Sequence, residues 1–107
     1  MHVMKDPARH DQLERWLAVE LVSVVRARLK AAGVPIDTIP SLTKDIAVGV
    51  ADLWDGCHGL TIGNELLTPF LVFASDNDEE AVLVSSYDDT GSFLHEHVTS
   101  AADRELP

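Results

Sequence analysis

Between Asp6-Pro7 and Gly33 the chain carries one unbroken helical repeat, and this constrains the fold more than any other feature. Apolar side chains recur at Leu13, Trp16, Leu17, Leu21, Val24, Val25 and Leu29, the spacing of one helix face. Val19 and Val22 widen that stripe, so the helix wants cover on more than one side. Asp6 is a good N-cap and Pro7 a good first helical residue. Gly33 can take the left-handed position that ends a helix, and Pro35 blocks continuation. The spacing predicts a helix over 7–33, and everything else must pack around it.

A second helix is predicted over 41–55, capped by Ser41 and ended by Gly56. Leu42, Ile46, Gly49, Val50, Leu53 and Trp54 would share its inner face. Gly49 disfavours a helix by about 1 kcal/mol relative to Ala. Its place on that face predicts a close approach to the first helix.

After Gly56 the period changes from helical to alternating. Strands are expected over 58–63, 66–75 and 81–86, with Gly63-Asn64 turning the first hairpin. The segment 66–75 is apolar on both faces and is expected at the centre of the sheet, although Pro69 removes a ladder donor. Ser92 can cap a last helix over 91–104, with Phe93, Leu94, Val98, Ala101 and Ala102 inside. The expected fold is a single α+β domain spanning 1–107, in the order ααβββα. It has two N-terminal helices, a three-stranded antiparallel β-meander and a C-terminal helix. Helices covering one sheet face would leave Leu71 and Phe73, or else Phe70 and Val72, on an exposed apolar face. A homodimer through such a face is expected, because two-fold contacts are the commonest.

Charge bounds the partners. Residues 1–33 carry six Lys and Arg against four acids, while residues 34–107 carry only Lys44 and Arg104 against fourteen. The first part is thus net +2 and the second −12, which together give the −10 of the whole chain. Such a field repels nucleic acid and anionic membrane and attracts basic proteins. The most apolar stretch, Leu17 to Val25, contains Glu20 and is about half of the ~18–20 residues that span a bilayer. The first residues lack an apolar h-region, so no signal peptide is expected. The lone Cys57 excludes an intrachain disulfide and fits a reducing, cytoplasmic setting.

Three groups of residues invite a chemical reading. Cys57-His58, with Asp55 beside them, resembles a thiol and its base. Neighbours in sequence rarely align for proton transfer, and a free Cys most often packs as a small hydrophobe. His95 and His97 are two apart, so on a helix they diverge by about 200° and cannot share a metal. The run Asp76-Asn77-Asp78-Glu79-Glu80 lacks the glycine and the distal glutamate of a calcium loop and reads as a solvated turn. No phosphate loop or nucleophile elbow is present, and no cofactor or metal is expected.

The favoured function is therefore a non-catalytic interaction module, an adaptor, chaperone or immunity-like protein that binds a basic partner. Asp76, Asp78, Glu79, Glu80, Asp88 and Asp89 form its candidate surface. The alternative is a small hydrolase or metal-dependent enzyme that uses His58, His95 or His97, and Cys57, with Asp55 and Asp88 near them.

Overall fold

A computed structural model describes residues 2–55, 60–67, 72–75, 82–85 and 93–105. It is a mixed α+β fold. In chain order the elements are β1 (His2–Lys5), α1 (Pro7–Ala31), α2 (Ile39–Trp54), β2 (Leu60–Ile62), β3 (Glu65–Leu67), β4 (Phe73–Ser75), β5 (Val82–Ser85) and α3 (Leu94–Glu105).

Both ends of α1 form as their residues dictate. The Asp6 carboxylate accepts the Arg9 N–H at 3.0 Å, and Pro7 takes the first turn. At the other end Gly33 adopts φ +81°. Its N–H donates to the Lys30 carbonyl, and the Val34 N–H to that of Leu29, each at 3.1 Å. This paired return of two N–H groups is the Schellman motif, which satisfies carbonyls the helix leaves open. The second helix starts two residues before the expected site. Pro40 lacks only an N–H that the first turn does not use, so the helix runs through it from Ile39. Ser41 is not the cap. Its hydroxyl donates instead to the Thr38 carbonyl at 3.2 Å.

The described core is helical. Ala18 and Val22 of α1, Ala47 and Ala51 of α2, and Leu94, Val98, Ala101 and Ala102 of α3 are buried against one another. Five of these eight are alanine, so the three helices meet along their smallest residues and can approach closely. That corrects the expected facing of two helices. On α1 the fully buried row is His10, Glu14, Ala18 and Val22, with Leu17, Val19, Leu21 and Val25 packed at its flanks. Trp16 is 55% exposed. On α2 the buried row is Ile39, Thr43, Ala47 and Ala51. Ile46, Leu53 and Trp54 are exposed, and an added Cβ at Gly49 would meet nothing within 4 Å. Gly49 therefore makes no close approach. On α3 the expected inner residues are buried except Phe93, which is exposed.

The strands form two sheets. β2 and β3 make the expected antiparallel hairpin, turned at Gly63 with φ +62°. β4 pairs with β5 antiparallel, Ala74 opposite Leu83. The meander is thus present in part. The expected strand 66–75 appears as β3 and β4, with Pro69 between them in sequence, and no ladder joins β3 to β4 among the described residues. The centre of the larger sheet is β5, not 66–75. Its second edge is β1, paired in parallel with Val3 opposite Leu83. Val72 is exposed, while the Phe73 ring packs edge-on against His10 of α1 at 5.3 Å. Leu71 and Phe70 lie outside the described residues. Among the described residues no helix is long and apolar enough to cross a membrane.

Candidate functional site

The first turn of α3 is where the ionisable side chains converge. A helix start leaves N–H groups without intrahelical acceptors and carries a partial positive charge. Here carboxylates from the other two helices supply the acceptors. The Phe93 N–H donates to Glu14 Oε2 at 3.1 Å, and the His95 N–H to Asp55 Oδ2 at 2.7 Å.

Each of these carboxylates also holds a histidine. Glu14 lies one turn after His10 on the buried row of α1, and its Oε1 meets His10 Nδ1 at 2.8 Å, with both side chains nearly sealed from solvent. Asp55 caps the C-terminus of α2. Its Oδ2 lies 2.5 Å from His95 Nδ1, and its side chain is only 1% exposed. The other oxygen, Oδ1, is buried with no partner among the described residues, as is Thr43 Oγ1.

A third pair sits further out. His97 Nε2 meets Asp11 Oδ1 at 2.8 Å, and Arg15 Nε donates to Asp11 Oδ2 at 3.1 Å. Burial works to raise the Asp11 carboxyl. The hydrogen bond and charge of His97, with those of Arg15, outweigh it and hold the group below its ordinary value.

The expected divergence of His95 and His97 is realised: one meets the end of α2, the other α1. Of the residues proposed for an enzyme site, Asp55 and His95 are brought together, and His97 goes elsewhere. Cys57 and His58 lie outside the described residues. So do Asp76, Asp78, Glu79, Glu80, Asp88 and Asp89. Sequence reasoning missed Asp11, His10 and Glu14. The last two carried a signal, the i, i+4 row they share with Ala18 and Val22.

Chemically, a carboxylate that orients an imidazole is half of a general-base pair. In the Asp55–His95 pair the same oxygen also holds the backbone of α3, which makes the contact a docking latch first. No group of three His, Cys, Asp or Glu side chains among the described residues could hold a metal. Comparison with protein-family models, with curated proteins and with solved structures finds no match.

Proposed function

We propose that the chain is a non-catalytic interaction module that works in the cytoplasm and binds a basic protein partner. The observation that carries this reading is the facing of α2. Its two alanines, Ala47 and Ala51, line the core, while two of its large apolar side chains are turned outward: Ile46 is 41% and Leu53 51% exposed. These two share a flank with Leu42 and Gly49, because the four recur three or four residues apart. Aligned exposed apolar residues mark contact surfaces more often than scattered ones do. Asp45 and Asp52 stand on the outward side of the same helix. Its single cation, Lys44, is tied to Asp103 at 2.8 Å. An apolar stripe beside uncompensated acids complements a basic, amphipathic surface. The acids Asp76, Asp78, Glu79, Glu80, Asp88 and Asp89 add to the negative charge of the chain and would steer such a partner.

The test is capture of the native partner by the full chain, with Ile46→Ser/Leu53→Ser as the paired variant. The expected partner is basic, and its binding weakens at least about tenfold in the variant, as for a buried apolar anchor. A two-fold dimer that buries Ile46 and Leu53, seen by sedimentation at micromolar concentration, would replace the partner with a second copy. A partner bound equally well by the variant would move the surface elsewhere.

The enzyme reading rests on the Asp55–His95 pair. Hydrolysis of an ester or amide substrate, lost in His95→Gln with the fold intact, would favour it over the module.

A further inference from the structure

A groove of about 330 Å³ runs between α1 and α3, lined by Arg15, Glu96, His97, Ser100 and Arg104. We propose that it binds the phosphoryl group of a small phosphomonoester. The chain has only eight Lys and Arg in all, against eighteen acids, and two of the eight line this one groove.

Each arginine is oriented by its own helix. Arg15 Nε donates to Asp11 Oδ2 at 3.1 Å, and Arg104 Nε to the Ser100 carbonyl at 3.3 Å, each acceptor one turn back. Bonding through Nε leaves the Nη donors of both guanidinium groups for a ligand. That planar fork matches phosphate oxygens two at a time. His97 is fixed through Nε2 on Asp11, and its Nδ1 has no partner among the described residues. Ser100 adds a hydroxyl to the lining.

The carboxylates of the groove are placed unequally. Asp11 is engaged by both His97 and Arg15. Glu96 lines the groove itself, so it opposes a dianion and sets a sign that can be tested. The volume holds a phosphoryl group with a small substituent, being at the lower end of small-molecule sites.

The experiment titrates methyl phosphate, and separately inorganic phosphate, into the full chain at fixed ionic strength. Sodium chloride is the reference, and backbone amide shifts are the readout. Saturable shifts centred on residues 11–15 and 96–104 are expected. Arg15→Gln and Arg104→Gln should each weaken binding about fivefold or more, as for loss of a charge-assisted hydrogen bond at a partly open site. Glu96→Gln should tighten it. Lys30→Gln removes the same charge about 22 Å along α1 and should change nothing. Thermal melts confirm that each variant folds. Shifts that do not saturate overturn the proposal, as does a Lys30→Gln effect equal to those of the arginine variants, or looser binding in Glu96→Gln. Binding of inorganic phosphate without methyl phosphate would identify a site for the free ion and overturn the phosphomonoester assignment.

Discussion

Asp55 and Glu14 each tie a backbone N–H of α3 and a histidine to one carboxylate. Truncation of either leaves a donor without its acceptor in a protected place, which costs about 1–3 kcal/mol per group. Asp55→Ala and Glu14→Ala should each lower the urea midpoint by that order. Glu14→Gln should cost less, because it keeps an acceptor for Phe93. Thr43 poses the opposite case, a buried hydroxyl without a partner among the described residues. Thr43→Val keeps the shape and removes the unsatisfied group, so stability should rise by about 1 kcal/mol. Asp11 adds a pH dependence of its own. Its folded carboxyl lies below the ordinary value of 3.8. The pair with His97 therefore contributes stability above that value and loses it as the pH falls through the lower folded one. Asp11→Asn should flatten the acid limb of a stability–pH curve below about pH 4. The carboxylate is 45% exposed, so the change should not exceed about 1 kcal/mol.

At the scale of elements, α2 decides most. Its buried row of Ile39, Thr43, Ala47 and Ala51 is apolar but for Thr43, and its outward Ile46 and Leu53 also stand at helical spacing. Either could face the core. The smaller row is inside because three helices share one core and their axes must come close. Ala51→Leu should therefore overpack the interface and cost about 1–3 kcal/mol by urea titration. Gly49→Ala should stabilise by about 1 kcal/mol, since the residue is helical and an added Cβ meets nothing. Had Gly49 marked a close approach, the same change would destabilise. The strands show a related ambiguity. The apolar run of 66–75 looks like one central strand, yet Pro69 falls inside it and β5 takes the centre. β1 is four residues long and pairs in parallel with a strand near the far end of the chain, so no local pattern announces it.

For the whole molecule the governing quantity is its charge of −10. Self-repulsion of that size opposes folding, and salt screens it as the Debye length shrinks from about 30 Å at 0.01 M to about 8 Å at 0.15 M. The melting temperature should rise by several degrees over that range. A melting temperature that falls with salt would mean that ion pairs such as Lys44–Asp103 outweigh the net repulsion.

The three helices, the ends of α1 and the hairpin at Gly63 were legible in the sequence because they rest on periodicity, caps and turn residues within a few positions of each other. The divergence of His95 and His97 was legible for the same reason, since helical pitch alone dictates it. Only the tertiary structure decided which rows of α1 and α2 are buried, because that depends on how closely three axes approach. It alone also placed Glu14 and Asp55 at the start of α3. Those acceptors lie 79 and 40 residues from the N–H groups they satisfy, and a capping bond is blind to separation along the chain.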